Sequence, residues 1–344
     1  MAEQRFFDIS NRSDMPFQII LGGRGIGKTY SALDYLQKVS SPSHKFIYMR
    51  REGTEIDQCA TEYGNPYKKL NEDKGYHIEP FVIPKFKGFG FERQIRSTVE
   101  PDEVLECEPI GYAIALSTFS GTRSMDYSDV DIIFFDEFIP ERHKRKIKAE
   151  GDALFNIYET VNRNRELLGE KPVKLILSAN GIDLANPILA QFEVISVIQN
   201  MLKNNQYRRT IPERKLYIEL VHGIGITEEK KKTVLYQLAN ENFVHDTLNT
   251  DFREAELHLV KKSKNLNGYK PELGYGNYVI FSSKTDFYIK ESNVPCKMKL
   301  SEKEIYQLRA IFGPRYRLMR ASQRIFFDDY TTLVLFDEIL AYDL

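Results

Sequence analysis

The residues best suited to chemistry form a glycine-rich run near the start of the chain, Gly22-Gly23-Arg24-Gly25-Ile26-Gly27-Lys28-Thr29. This run satisfies every fixed position of the pattern G-x-x-x-x-G-K-[ST]. Its glycines let successive backbone N–H groups face an anion, and the positive end of a following helix adds to the attraction. Lys28 can then reach the β- and γ-phosphates of a nucleoside triphosphate, and the Thr29 hydroxyl can bind Mg²⁺. The run therefore predicts a binding site for ATP and Mg²⁺.

A second run places two acids after four apolar residues, Ile132-Ile133-Phe134-Phe135-Asp136-Glu137. We expect this strand to lie directly beside the strand that precedes the glycine loop, so that Asp136 emerges near the phosphates and holds Mg²⁺. Glu137 can then polarise an attacking water. Because binding alone needs no such glutamate, the pair favours hydrolysis, although two acids can also simply cap the next turn.

Two further segments contain side chains that suit phosphoryl chemistry. The strand Lys174–Asn180 ends in small polar residues, so Ser178 or Asn180 can sense the γ-phosphate or orient water, or else cap the next helix. Arg163 and Arg165 end a helical run just before that strand. The planar guanidinium fork stabilises charge on a transferring phosphoryl group, but arginines at a helix end can equally serve the helix dipole.

The elements that must position these residues alternate between short apolar runs and helical patterns. Nearly continuous apolar runs are typical of parallel strands that helices cover on both faces, so the pattern predicts an α/β sheet. Residues 71–111 read as an inserted hairpin region. The predicted strands are Phe17–Leu21, Lys45–Met49, Tyr112–Leu116, Ile132–Phe135 and Lys174–Leu177, and the predicted helices include Ser31–Val39 and Leu154–Asn164.

The composition of the sequence becomes predominantly polar after residue 198. We therefore predict an ATPase domain over residues 1–198, a linker over 199–225 and a second domain over 226–344. The elements expected in the second domain are a helix over Thr227–Asn240, a hairpin of Tyr278–Phe281 with Asp286–Ile289, and a helix opened by a capping box of Ser301 and Glu304.

Composition narrows the class of protein. The chain has 344 residues, 42% of them hydrophobic, and a net charge of -1. Residues 1–200 carry 25 Lys+Arg against 30 Asp+Glu, and the remainder carries 23 against 19. The basic excess of the second half indicates either a polyanionic partner or only solvated faces that differ in charge. Three cysteines without a C-x-x-C pair disfavour a disulfide framework. No apolar run is long enough to span a membrane, so we expect no membrane partner.

Taken together, these segments resemble the genome-packaging ATPases of small protein-primed tailed phages, the phi-29 type. The resemblance covers about the first 200 residues in the family's order. It is carried by GGRGIGKT at Gly22–Thr29, FIYMRR at Phe46–Arg51, IIFFDEFI at Ile132–Ile139, ETVNRNRE at Glu159–Glu166 and LILSAN at Leu175–Asn180.

The resemblance implies an ATPase of the ASCE, RecA-like class of P-loop folds, followed by a smaller α+β domain that resembles a degenerate RNase H-type nuclease fold. It further implies a homopentameric ring that drives double-stranded DNA through the portal of an empty capsid, in the host cytoplasm. It assigns Lys28 and Thr29 to phosphates and Mg²⁺, Asp136 to Mg²⁺ and Glu137 to water activation. Arg163 would be the arginine finger that reaches a neighbour's nucleotide. Arg24, and either Arg50 or Arg51, would add nucleotide or subunit-interface contacts.

Several alternatives stay open from the sequence. A large terminase with an active nuclease would need clustered carboxylates, for which the second half offers only scattered candidates. A nucleotide-dependent DNA-binding switch, or a plasmid or conjugation motor, would share the glycine loop. DNA could be gripped near the inserted hairpin or by Lys144, Arg145, Lys146 and Lys148. The need for a structural packaging RNA is also left open.

Overall fold

The computed structural model describes most of the chain as two compact units. The first is drawn from residues 1–182 and 200–252, and the second from residues 183–199 and 253–344. The described residues are 6–10, 12–100, 102–122, 125–140, 147, 149–180, 184, 186–221, 229, 232–238 and 258–340.

A nine-stranded sheet with the order β3-β4-β5-β2-β6-β7-β1-β9-β8 organises the first unit. Six of its strands, β5, β2, β6, β7, β1 and β9, run parallel to one another. The antiparallel strands β3 and β4 flank them on one side and the antiparallel strand β8 on the other. The strands are β1 (Phe17–Gly22), β2 (Lys45–Arg50), β3 (Ile78–Phe81), β4 (Gly88–Arg96), β5 (Val104–Ala115), β6 (Val130–Asp136), β7 (Lys174–Asn180), β8 (Arg208–Ile211) and β9 (Leu216–Val221).

Both faces of this sheet are covered. Ile20, Phe134 and Ile176 point into a core that also contains Leu33 and Leu36. Their neighbours along the strands point to the opposite face and are also buried, as the two-residue period of a strand requires. The helices of the chain are α1 (Lys28–Val39), α2 (Gly53–Cys59), α3 (Lys68–Lys74), α4 (Glu150–Asn162), α5 (Pro187–Gln191), α6 (Ile195–Lys203), α7 (Val234–Leu238), α8 (Ile305–Ala321) and α9 (Tyr330–Leu340).

The α/β class is confirmed, but one predicted neighbour is wrong. Strand β7 lies between β6 and β1, so the strand that ends in Asp136 is not adjacent to the loop strand. This insertion agrees with the ASCE, RecA-like class. It also brings the end of β7, at Asn180, directly beside Gly22.

The predicted linker also differs from the observed structure. Within residues 199–225, β8 and β9 complete the nine-stranded sheet, and β9 pairs in parallel with β1 over its whole length. The run Leu216–Val221 is entirely buried, because β9 lies inside the sheet between β1 and the edge strand β8. The predicted inserted hairpin is present as β3, β4 and the first half of β5.

The second unit contains a five-stranded sheet with the order β13-β10-β11-β12-β14. The predicted hairpin is present as the antiparallel pair β11 and β12, and Ser301 forms its capping box with Glu304. This sheet, with helices α8 and α9, confirms an α+β second domain, whereas its RNase H-type resemblance stays a prediction. The strands are β10 (Lys270–Tyr275), β11 (Tyr278–Ser282), β12 (Phe287–Glu291), β13 (Met298–Leu300) and β14 (Ile325–Phe327). The predicted helix cap at Thr227 lies outside the described residues.

Candidate nucleotide-binding site

A cavity of about 670 Å³ lies at the carboxyl edge of the parallel strands in the first unit. The loop that joins β1 to α1 forms one wall, and the ends of β6 and β7 form another. This edge is where open α/β sheets bind ligands. The lining residues are Phe6, Arg24, Gly25, Gly27, Lys28, Thr29, Tyr30, Lys69, Asp73, Asp136, Glu137, Ser178, Ala179 and Asn180.

The two glycines that the sequence pattern fixes have distinct structural reasons. A Cβ at Gly22 would come within 2.9 Å of Ile26 Cδ1 and Val221 Cβ, so only glycine lets β9 approach the loop. Gly27 has a φ of +95° at the start of α1, in the left-handed region that glycine adopts without strain. Gly22, Gly23 and Ile26 are buried behind the cavity, whereas the intervening Arg24 is exposed at its mouth.

Lys28 connects the loop to the neighbouring strand. Its Nζ donates to the carbonyl oxygens of Gly22 (3.0 Å) and Gly23 (2.7 Å) and to Asn180 Oδ1 (3.1 Å). The lysine is 8% exposed, so its charge is held at the cavity wall by polar oxygens. Asn180, predicted as a phosphate sensor, therefore lies within hydrogen-bond reach of the phosphate-binding cation.

The pair predicted to hold Mg²⁺ is assembled across the sheet. Thr29 Oγ1 lies 3.0 Å from both carboxylate oxygens of Asp136. Hydroxyl and carboxylate oxygens are the hard donors that Mg²⁺ prefers, with phosphate oxygens and water completing its shell. The donor set therefore fits Mg²⁺ even though β7 separates the two parent strands.

Arg50, at the end of β2, binds the acid that ends β6, Asp136, and the acid that follows it, Glu137. Its guanidinium lies 3.3 Å from Asp136 Oδ2 and 2.6 Å from Glu137 Oε2. A third carboxylate, Glu55, lies 3.5 Å away. Burial alone would lower the pKa of Arg50, but Tyr48 and these carboxylates raise it. Arg50 is therefore a permanent cation that orients the Glu137 side chain.

The backbone and the burial of this pair are also unusual. Glu137 has a φ of +52°, a left-handed conformation that costs a non-glycine residue about 1–2 kcal/mol and is frequent at functional sites. Burial raises the pKa of Asp136, and the charge of Glu137 adds to the rise, while Arg50, Thr29 and Lys28 oppose it. The carboxylate of Asp136 thus depends on nearby cations to stay ionised.

The two arginines after α4 differ in environment. Arg165 is 8% exposed and donates to Asp131 (3.2 Å) and to the Ser128 carbonyl (2.7 Å), so it supports the fold. The side chain of Arg163 is 47% exposed and pairs with Asp126 at 2.9 Å. Asp126 precedes β6, whose carboxyl end lies at the cavity, so Arg163 lies at the sheet edge opposite the cavity. It does not line the cavity of its own chain.

Other predicted contacts resolve as follows. Arg51 is 2% exposed and forms an ion pair with the fully buried Glu150. Its side chain is therefore inside the fold and is not available for a subunit interface. The tip of the β4–β5 hairpin carries Glu100, Asp102, Glu103 and Glu106, with no Lys or Arg between residues 97 and 115, which disfavours phosphate binding there. Lys144, Arg145, Lys146 and Lys148 lie outside the described residues.

Sequence reasoning missed four residues of the cavity. Phe6 lies 49% exposed beside Gly27. Tyr30 donates to Asp73 (3.2 Å), which also accepts from Lys69 at 2.7 Å. Tyr30 follows the glycine loop directly, but no local pattern marks Phe6, Lys69 and Asp73, since only the tertiary fold brings them to the loop.

The fold and the site together define a P-loop protein of the ATPase type, with the loop lysine, a threonine–aspartate pair, a glutamate and an asparagine at one sheet edge. Residues 9–310 match the family described as "Podovirus DNA encapsidation protein (Gp16)". The chain belongs to this family, which confirms the resemblance seen in the sequence.

Curated relatives and solved structures agree with this assignment. The chain is 27% identical to a DNA packaging protein of Bacillus phage B103 over 256 residues, 73% of this chain and 69% of the relative. It is 24% identical to that of Bacillus phage phi29 over 255 residues, 73% and 67% of the two chains.

Among solved structures, "The Phi-28 gp11 DNA packaging Motor" aligns with a TM-score of 0.63 and 19% identity over 96% of both chains. "The bacteriophage Phi-29 viral genome packaging motor assembly" aligns with a TM-score of 0.55 and 19% identity over 95% of this chain and 96% of the other. These likenesses support the two-part fold. Among the described residues, no helix is long and apolar enough to cross a membrane.

Proposed function

We propose that this protein is the ATP-hydrolysing motor that moves double-stranded phage DNA through the portal into a preformed capsid. The observation that carries the proposal is the joint placement of Lys28, Thr29, Asp136, Glu137 and Asn180 around one cavity. Family membership supports DNA packaging as the process that ATP hydrolysis drives, since the family is described as DNA encapsidation proteins.

In the proposed reaction, loop N–H groups and Lys28 bind the phosphates, and Thr29 with Asp136 would hold Mg²⁺, which neutralises phosphate charge when bound. Glu137 takes the proton of the attacking water. The Arg50 contact holds Glu137 oriented, and Asn180 links Lys28 to the end of β7. Arg24 at the cavity mouth contacts the nucleotide.

We further propose that Arg163 acts on the nucleotide of a neighbouring subunit in a ring, in which five members are expected from the resemblance. Its exposure at the edge opposite its own cavity supports this role. The expected partners are double-stranded DNA and the portal, and a structural packaging RNA is a further candidate, all met in the host cytoplasm at the portal vertex.

We propose that the second unit binds nucleic acid or the portal and does not cut DNA. Two acids of this unit that an active nuclease could use have partners within the fold, since Asp337 binds Arg320 at 2.6 Å and Tyr316 at 2.7 Å. Asp328 lies 2.6 Å from the hydroxyl of Tyr288. Efficient nicking of supercoiled plasmid with Mn²⁺ that disappears in Asp286→Ala would instead indicate an active terminase.

The central test compares ATP hydrolysis with and without double-stranded DNA for three forms of the full chain. Wild type should hydrolyse ATP faster when DNA is present. Lys28→Ala should lose both tight nucleotide binding and turnover, whereas Glu137→Gln should bind ATP and lose turnover, because only water activation is removed. Near-normal hydrolysis by Glu137→Gln would refute the assignment of the base, and a DNA-independent ATPase would favour a nucleotide-dependent switch.

A further inference from the structure

A turn in the second unit gathers three lysines, Lys261, Lys262 and Lys264. The described part of this unit from residue 258 to 340 carries 14 Lys+Arg and nine Asp+Glu. Its arginines are largely used inside the fold, as in the ion pairs Arg315–Glu272 and Arg320–Asp337. By contrast, Lys261, Lys262 and Lys264 form no ion pair with any residue that the structure describes.

Two of these ammonium groups converge on one aromatic ring. Lys261 Nζ lies 3.7 Å and Lys264 Nζ 4.1 Å from the centroid of Phe326, so the two cations lie within about 8 Å of each other. Lys264 Nζ also donates to the Tyr269 hydroxyl. The ring attracts each cation, but the cations repel one another, and an anion bound beside them would offset that repulsion.

The turn is held in place by the sheet beside it. Val260 bridges Phe327 of β14, and Ser263 has a φ of +54°, a conformation that needs support in a non-glycine residue. Asp328 gives that support by accepting from the Ser263 backbone N–H at 2.7 Å. The Tyr288 hydroxyl lies 2.6 Å from Asp328 Oδ1 and 2.9 Å from the Lys261 carbonyl oxygen. The nearby carboxylate is thus committed to the backbone and to a tyrosine, and the lysine charges remain for an external ligand.

We propose that Lys261, Lys262 and Lys264 form a binding site for the phosphodiester backbone of a nucleic acid. Lysine is a compact point charge that suits phosphate oxygens, and contacts to phosphates position a nucleic acid without reading its sequence. This inference rests on the proposed function, since it locates one nucleic-acid contact of the packaging motor. Duplex DNA and a structural RNA carry the same backbone charge, and both would fit.

The test uses the full chain and measures binding of labelled duplex DNA and labelled duplex RNA over a series of salt concentrations. The site variant is Lys261→Gln with Lys264→Gln. The matched control is Lys297→Gln with Lys299→Gln, which removes the same charge at the opposite edge of the same sheet, near β13. A third variant, with arginine at 261 and 264, keeps the charge.

The slope of log K against log salt is negative, and each lost phosphate contact reduces its magnitude by about 0.9. The site variant should therefore show a slope about 2 smaller in magnitude than the wild type for at least one of the two duplexes. The control and the arginine variant should keep the wild-type slope, and the duplex affected shows which nucleic acid uses the site. An unchanged slope in the site variant, or an equal loss in the control, would overturn the inference and leave the motor proposal intact. A wild-type chain that binds neither duplex would overturn both.

Discussion

The proposed trans action of Arg163 can be tested by mixing two inactive subunits. Arg163 pairs with Asp126, ahead of β6, while Asp136 ends that strand. Six strand steps at about 3.3 Å each place the arginine on the order of 20 Å from its own metal-binding carboxylate. A finger at that distance serves only another chain's nucleotide.

The expected magnitude follows from the cost of removing a finger. Arg163→Ala should bind ATP but hydrolyse it about 10³- to 10⁵-fold more slowly, a loss of about 4–7 kcal/mol of transition-state stabilisation. Lys28→Ala should be inactive for a different reason, because its own site cannot hold phosphates. In an equal mixture of the two, about a quarter of interfaces would pair an intact site with an intact finger, so ATPase activity should recover to about a quarter of the wild-type rate.

The assay measures the steady-state rate of phosphate release from ATP at several mixing ratios, and co-assembly of the two variants is verified by size-exclusion chromatography. Lys171→Ala, which removes an exposed cation from the same sheet edge, is the matched control and should keep wild-type activity. No recovery at any ratio in verified mixed rings would refute trans action and leave Arg163 with a role within its own chain.

Three further predictions concern the fold and the loop. Because burial raises the pKa of Asp136, the folded state binds the proton of this carboxyl more tightly than the unfolded chain does. Measured by urea unfolding, the free energy of unfolding of Asp136→Asn should therefore exceed that of the wild type by an amount that grows as pH rises above 3.8. A difference that does not change with pH would contradict this. Ser301→Ala should lose about 1 kcal/mol of unfolding free energy, because it removes the capping box of the 3-10 turn Glu302–Glu304 that leads into α8; Ser292→Ala, outside any helix, is the control. Gly27→Ala should lower the melting temperature and weaken ATP binding, since φ is +95° and the new Cβ would lie 3.3 Å from Phe6 Cβ; unchanged nucleotide affinity would show that the loop tolerates a side chain.

Local spacing in the sequence was sufficient to predict the parts of the site that depend on adjacent residues. The glycine loop was recognised because its two fixed glycines and its lysine act within eight consecutive positions. The strands β1, β2, β6 and β7 were predicted within a few residues, because apolar runs buried on both faces are a local signal. The capping box at Ser301 is local for the same reason.

Long-range pairing decided the rest. Nothing in the run Ile132–Glu137 shows that β7 intervenes between β6 and β1, since strand order depends on packing between distant segments. The inclusion of β9 in the sheet, against the predicted linker, has the same cause. The predictions failed where an element's partners, and not its own periodicity, determine its place.

Side-chain environment separates residues that the sequence presents as equals. Arg163 and Arg165 stand two positions apart, yet only the fold buries Arg165 against Asp131 and exposes Arg163. Arg50 and Arg51 divide in the same way, because successive residues at a strand end point to opposite faces. Arg50 therefore reaches Asp136 and Glu137 at the cavity, while Arg51 pairs with buried Glu150. The sequence by itself determined which chemistry is available, and only the tertiary structure decided which side chains meet, because charge pairing acts through space over separations of about 100 residues that no local pattern records.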